Sequence, residues 1–306
     1  MRALILGTGV VGLFIGAQIS DLFDEIIVYD NKGSLGALER ELKIFIEYND
    51  HVVEKEIDGT TTNLLDLSGE HVDLILVDKK STDTPKIFQD IIDNDITSDN
   101  YLFFQNAFLV EEEVIRIFHG RMMAKRITSE IMLQQKNTNR LKMISEGKIL
   151  IEGRARGILK EVIKYLETES ISVQIIEDLT PIVWKIATKR SIIEPLMAIF
   201  RIDKSKLGKN RNIRNLIDML IAEDRRIAIK YGISLRGLEA DIYRQLNRYP
   251  KELPQLVKDL TLGNSTEIDY LNGALVTLAR RKGLNAPLNR AITYIIKGLG
   301  SEFLEA

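Results

Sequence analysis

An apolar run at the start of the chain, Met1 to Leu6, leads directly into Gly7-Thr8-Gly9-Val10-Val11-Gly12. No other feature restricts the fold as much. A short apolar run bounded by glycine reads as a strand buried on both faces. Gly16 and an apolar stretch to Leu22 then suit a helix, and a second strand, Ile26 to Tyr29, ends at Asp30. In such a strand, turn, helix, strand unit the first glycine permits the tight turn and the second lets backbone N–H groups approach a pyrophosphate. The third lets helix and strand pack closely. Alone the GxGxxG pattern is weak. Here it follows a strand and has an acid 18 residues beyond Gly12, which points to a dinucleotide. The predicted cofactor contacts are Gly7, Thr8, Gly9, Val10, Val11 and Gly12.

Further strands are predicted at Leu74 to Val77, Tyr101 to Phe104, Met122 to Ile127, Ile149 to Ile151 and Val173 to Ile176, with helical stretches among them. That alternation predicts an α/β fold with a doubly wound sheet of Rossmann type. From about Thr180 helical periodicity takes over, as in Asn212 to Lys230 and Thr266 to Lys282, with Gly283 as a helix stop and Pro287 opening the next helix. The expected division is a dinucleotide-binding domain over 1–178 and an all-α substrate and catalytic domain over 179–306. A net charge of -2 gives no general attraction to nucleic acid or anionic lipid, so neither is expected as a partner. The basic stretch Arg201 to Arg214 reads as a solvated loop and helix start. With no Cys, thiol chemistry is excluded, and a cytoplasmic location is the expectation. His51, His71 and His119 are too scattered to suggest a metal centre, so none is expected. No run of roughly 18 apolar residues suggests a membrane span, and Ala3 to Leu6 is too short for a signal peptide.

A carboxylate closing the second strand, Asp30, suits the ribose hydroxyls of NAD and repels a 2′-phosphate, whereas Lys32 is placed to neutralise one. NAD and NADP therefore both remain open. Ligands of such sheets bind beyond the carboxyl ends of the strands. Asp78, Lys79 and Lys80 follow one strand, and Gln105 and Asn106 the next. Lys80 is assigned to cofactor or anionic substrate, and Asn106 to either. Carbonyl reduction needs a proton donor near the developing alkoxide. No Tyr has a Lys four residues on, and the histidines lack a supporting motif. The remaining candidate is a lysine, desolvated and oriented by a carboxylate.

The segment Thr266-Glu267-Ile268-Asp269-Tyr270-Leu271-Asn272-Gly273, with Ala279-Arg280 and the Gly283 to Pro287 turn, resembles the carboxy-terminal signature of the ketopantoate reductases (2-dehydropantoate 2-reductases). Agreement extends to the opening GxGxxG, to Lys80-Ser81-Thr82-Asp83-Thr84, to Asn106, and to Trp184 followed by Pro195-Leu196-Met197-Ala198. The resemblance implies a helical domain of the 6-phosphogluconate dehydrogenase-like kind and a site in the cleft between domains. It also implies NADPH-dependent reduction of a 2-oxo acid to a 2-hydroxy acid, ketopantoate to pantoate in pantothenate biosynthesis. By the same resemblance Glu267 orients the catalytic lysine, Asn106 contacts substrate and cofactor, and Lys80 lies beside the cofactor.

Several positions depart from the family pattern. Ile186 stands where the catalytic lysine is expected, with Lys185 one residue early. Arg190 and Glu194 replace asparagines, Lys204 replaces another, Gln255 falls at a serine and Ala107 at a glycine. Asn31 falls at the basic residue expected after the second strand. Ile186, Arg190 and Glu194 share one helix face, which predicts an Arg/Glu pair or an Arg190 clamp on a substrate carboxylate. Lys185 points about 100° from Ile186 and Lys189 about 60° the other way. The expectation is that Lys185 or Lys189 donates the proton, Glu267 orients it, and Asn106, Arg190, Glu194 and Lys204 surround a small 2-oxo acid. Two alternatives stay open: an NAD-dependent D-2-hydroxyacid dehydrogenase on the same fold, motivated by Asp30, and a catalytically silent dinucleotide-binding protein, motivated by Ile186. An exposed apolar face on the helical domain would mark a homodimer.

Overall fold

The opening run forms strand β1 (Arg2–Leu6), with Ala3, Leu4, Ile5 and Leu6 all buried, in a computed structural model that describes residues 1–31, 33–120, 124–247 and 253–302. The chain forms two units, Met1–Gln105 with Val110–Leu179, and Asn106–Leu109 with Thr180–Ala306.

In the first unit β1 is followed by β2 (Glu25–Tyr29), β3 (Lys43–Glu47), β4 (Val52–Glu56), β5 (Gly59–Thr61), β6 (His71–Val72), β7 (Leu74–Val77), β8 (Thr97–Ser98) and β9 (Tyr101–Phe104). The later strands are β10 (Ala124–Ser129), β11 (Met132–Asn137), β12 (Arg140–Ser145), β13 (Gly147–Glu152) and β14 (Ile171–Ile176). Its helices are α1 (Val10–Gln18), α2 (Ala37–Glu41), α3 (Thr84–Asp93), α4 (Val110–Ile117) and α5 (Ile158–Leu166). The main sheet runs β14-β13-β10-β9-β7-β1-β2-β5. From β10 to β5 every pairing is parallel, while β13 joins β10 antiparallel. These six parallel strands have the 3-2-1-4-5-6 order of a dinucleotide-binding sheet, and the order reverses between β1 and β7, where ligands of such sheets bind. Parallel strands covered on both faces read as unbroken apolar runs, and β7 (LILV) is buried throughout.

Strand positions at Leu74–Val77 and Tyr101–Phe104 agree with the sequence reading. Of the strand expected over Met122 to Ile127, Met122 and Met123 lie outside the described residues and the rest falls in β10. A second sheet, β11-β12-β3-β4, has no counterpart in that reading. It is amphipathic, and its hairpin reaches the glycine loop, where the Gln135 amide donates to the Thr8 carbonyl at 3.1 Å. The first helix ends at Gln18 rather than Leu22, with a short 3-10 turn beyond it.

The second unit is helical: α6 (Thr180–Phe200), α7 (Lys204–Leu207), α8 (Arg211–Lys230), α9 (Leu238–Leu246), α10 (Gln255–Thr261), α11 (Asn272–Arg281) and α12 (Pro287–Glu302). The single helix expected over Thr266 to Lys282 is instead a 3-10 turn, Glu267–Tyr270, and then α11, broken at Leu271 (φ -108°, ψ -99°). Gly283 closes α11 at φ +69°, a left-handed conformation that favours glycine. Among the described residues no helix is long and apolar enough to cross a membrane.

A buried polar knot ties α8 to the start of α12. Glu223 accepts from the backbone N–H groups of Leu288 and Asn289 at 3.1 and 2.9 Å, satisfying two of the donors a helix start leaves open. The Asn289 amide donates to Glu223 and, at 2.7 Å, to Asp224. Burial pushes the Asp224 carboxyl up to about 8, the Glu223 charge adds to this, and the Asn289 bond opposes it. The folded protein therefore keeps a proton that the unfolded chain releases near 3.8, so this group makes stability fall as pH rises from about 4 to about 8. Asp224→Asn is expected to remove that decline. Urea unfolding at a series of pH values should show the variant gaining on the parent across this window, and parallel curves would contradict the assignment.

Candidate functional site

Two clusters of side chains have the residues and geometry of a binding site, one in each unit. In the first, β1 turns into α1 through Gly7 at φ +117°, a conformation that only glycine adopts without strain, and its N–H donates to the Tyr29 carbonyl at 2.8 Å. Asp30, at the end of β2, is 5% exposed and faces inward. It accepts from the Thr8 N–H at 2.8 Å, the Thr8 hydroxyl at 2.7 Å and the Asn31 N–H at 2.7 Å, and it pairs with the Lys79 ammonium. Burial alone would lift the Asp30 carboxyl. The bonds from Lys79, Thr8 and Asn31 outweigh it and hold the group below the usual carboxylate range.

The structure adds internal partners to the Asp30 of the sequence reading. A carboxylate has about four lone-pair sites, and here four donors take them. Its charge is also matched by Lys79, so Asp30 does not stand as a bare anion set to repel a 2′-phosphate or as an open acceptor for ribose. Lys79, not singled out from the sequence, is the residue that changes its role. Lys32 lies outside the described residues. Val10 and Val11 form the first turn of α1. The Lys80 carbonyl accepts from the Asp83 and Thr84 N–H groups at 2.9 Å each, which anchors the start of α3.

The second cluster is built on α6. Arg190 and Glu194 form the i, i+4 pair that their spacing predicts, with Nε to Oε1 at 2.6 Å and Nη2 to Oε2 at 3.3 Å. The second amino group also donates to Glu267 Oε2 at 2.6 Å. The remaining nitrogen, Nη1, donates to the Asn106 side-chain oxygen at 2.5 Å and to its carbonyl at 3.3 Å. Glu194 and Glu267 are buried, whereas Asn106 is exposed. Burial works against the Arg190 charge, but the two carboxylates prevail and raise its pKa above the ordinary value. All five guanidinium N–H groups are engaged.

Local structure explains how these residues meet. The break at Leu271 leaves Glu267 on a 3-10 turn capped by the Thr266 hydroxyl. Asn106 is held because the Phe108 N–H donates to the Tyr270 carbonyl at 2.9 Å and the Phe108 ring packs edge-on against Trp184, their centroids 5.1 Å apart. The expected pairing of Glu267 with Lys185 or Lys189 is not formed. Both lysines are half-buried on α6, and among the described residues neither makes a hydrogen bond or ion pair. The reason is helical: Arg190, four residues beyond Ile186, keeps the inward direction that the lysines flank. Lys204 opens α7 behind its cap Asp203.

The nearly parallel sheet of the first unit, with a glycine turn at its switch point, is of the Rossmann dinucleotide-binding type, and the helical second unit carries a buried charged cluster. Residues 3–154 match the family described as ketopantoate reductase PanE/ApbA, and residues 178–300 match ketopantoate reductase PanE/ApbA C terminal. The chain belongs to the ketopantoate reductase family. It is 23% identical to the 2-dehydropantoate 2-reductase of Pyrococcus abyssi, covering 97% of both chains. In fold it is similar to a PanE/ApbA family ketopantoate reductase from Ralstonia eutropha JMP134 (TM-score 0.84, 18% identity, 99% of each chain). It is also similar to D-mandelate dehydrogenase solved with NADH and anilino(oxo)acetate (TM-score 0.81, 18% identity, 99% of each chain).

Removing Arg190 would leave two buried carboxylates facing each other. Arg190→Met is expected to cost about 3–5 kcal/mol at pH 7.5, and adding Glu194→Gln and Glu267→Gln to it should recover most of the loss. Urea unfolding measures both, and a loss below about 1 kcal/mol for the single variant would contradict the reading of the cluster as buried and coupled.

Proposed function

We propose that the protein reduces a small 2-oxo acid to the 2-hydroxy acid with a reduced nicotinamide dinucleotide as hydride source. The observation that carries this reading is the Arg190 cluster on the face of α6. An arginine stays charged at any working pH, so Arg190 binds and polarises and does not supply the proton. Its Nη1 edge is the side held only by exposed Asn106. A substrate carboxylate takes that edge when the Asn106 side chain turns aside, giving a charge-assisted, two-point contact. Glu194 and Glu267 fix the other edges and so set the orientation of the guanidinium. The proton comes from an ammonium on the same helix, Lys185 or Lys189, neither of which is tied to a carboxylate. Lys204 is assigned to the substrate side by the family pattern alone.

Ketopantoate is the first substrate to test, although charged Arg190 and Glu194 stand where its reductases keep neutral side chains. The NAD-linked D-2-hydroxyacid dehydrogenase reading stands as the alternative: its motive in the sequence was Asp30, which is paired with Lys79, and the similarity in fold to D-mandelate dehydrogenase solved with NADH supports it. With Asp30 neutralised, either NAD or NADP is accommodated on charge grounds.

Turnover of ketopantoate and a panel of 2-oxo acids should be measured with NADH and NADPH. Arg190→Lys is expected to raise KM for the preferred acid at least about tenfold while changing kcat far less, since a point charge replaces a planar fork. Either Lys185→Ala or Lys189→Ala should lower kcat by about a hundredfold. Undiminished rates in both would refute the proton assignment. Tight dinucleotide binding with no turnover on any oxo acid would leave a catalytically silent binding protein.

A further inference from the structure

The glycine loop of this chain already holds an anion. Asp78 follows β7 at the switch point, and its N–H continues the ladder to the Leu6 carbonyl at 2.9 Å. Its side chain turns into the loop. Oδ2 accepts from the Gly12 N–H at 2.7 Å, and the carboxylate also accepts from the Val11 N–H. These are amides of the first turn of a nine-residue helix, the groups that such a loop presents to phosphate.

Space and charge agree with the hydrogen bonds. A Cβ on Gly9 would fall 2.2 Å from Asp78 Cγ, and one on Gly12 would fall 2.6 Å from Asp78 Cβ. A Cβ on Gly7 would fall 2.2 Å from the Asp78 carbonyl oxygen. All three motif glycines therefore close around one residue, and the gap at Gly9 that would admit a pyrophosphate contains the Asp78 carboxylate. Among the described residues no ion pair to it is formed, although the Lys79 charge acts on it from its own segment. The loop from Gly7 to Gly12 carries no charged side chain, and the neighbouring Lys79 ammonium is held by Asp30 at the end of β2. The dinucleotide phosphates and this carboxylate compete for the same amides.

We infer that Asp78 is an internal occupant of the phosphate-binding loop, and that its carboxylate must leave the Val11 and Gly12 amides before dinucleotide phosphates bind there. Asp78 thus sets dinucleotide affinity without contacting the substrate. The inference rests on the dinucleotide reading of the loop. The charged group that acts on the Asp78 carboxyl is Lys79 from its own segment, and α1 contributes no charged side chain in its first turn. Burial pushes the Asp78 carboxyl up to about 6, with the Gly12 and Val11 bonds and the Lys79 charge opposing. Below that pH the group is neutral and its competition weakens, so affinity rises as pH falls through about 6.

Binding of NADH and NADPH by nicotinamide fluorescence tests this, at pH 8 and 5.5, on the unaltered protein, Asp78→Ser and Asp78→Asn, with far-UV circular dichroism to establish that each is folded. Asp78→Ser is expected to bind at least about tenfold more tightly than the parent at pH 8, and Asp78→Asn also more tightly, because charge rather than bulk opposes the phosphates. The parent should gain about tenfold between pH 8 and 5.5, with both variants changing less than about threefold. Equal affinities for parent and folded variants at pH 8, with the parent binding, would overturn the role of Asp78 and leave the dinucleotide reading intact. Absence of binding by all three proteins at both pH values would overturn the dinucleotide reading and this inference with it.

Discussion

The backbone between β1 and α1 passes so close to the end of β7 that no side chain fits on the turn. A Cβ at Gly7, Gly9 or Gly12 would meet Asp78 within 2.6 Å. That approach fixes the axis of α1 over the sheet, where a Cβ on Gly16 would in turn lie 2.1 Å from the Ile5 side chain. The switch between β1 and β7, the burial of Leu13, Phe14 and Ile15, and the direction of the first-turn amides all follow from this one constraint. The same closeness puts whatever follows β7 into the loop, and here that residue is an acid.

Charge in this protein is locally concentrated although the total is near zero. Around the loop, Lys79 is committed to Asp30 and Asp78 is left to backbone amides. On α6 one guanidinium serves two carboxylates, and its third side meets the exposed Asn106. A buried pair of this kind contributes little net stability, because desolvation offsets most of the Coulomb attraction. Its effect is orientation: a fork held on its Nε and Nη2 sides presents its third side in one direction.

Much of the first unit was legible in the sequence because its signals are local. The run LILV before Asp78 and the run YLFF before Gln105 are apolar on both faces and bounded by polar residues, and they form β7 and β9 with those limits. The i, i+4 spacing of Arg190 and Glu194 likewise foretold their pair. The sheet of β11, β12, β3 and β4 was not legible, since it pairs β12 with β3 across a long stretch of sequence and half-exposes strands such as VVEKE. Nor was the break at Leu271, where an unbroken helical pattern hides the turn that delivers Glu267 to Arg190. The partnership of Lys79 with Asp30 and the inward turn of Asp78 depend on which strands become neighbours. Asp78 was visible as a residue after a strand, but only the adjacency of β7 and β1 reveals that it meets the glycine turn.

Crystal structures at neutral pH, with and without a nicotinamide dinucleotide, test the central claim most directly. The account predicts that the free protein shows the Asp78 carboxylate on the Gly12 N–H and that the complex shows phosphate oxygens there, with Asp78 rotated out of the loop. Phosphates bound on the first turn of α1 while the 2.7 Å contact between Gly12 and Asp78 persists would contradict it.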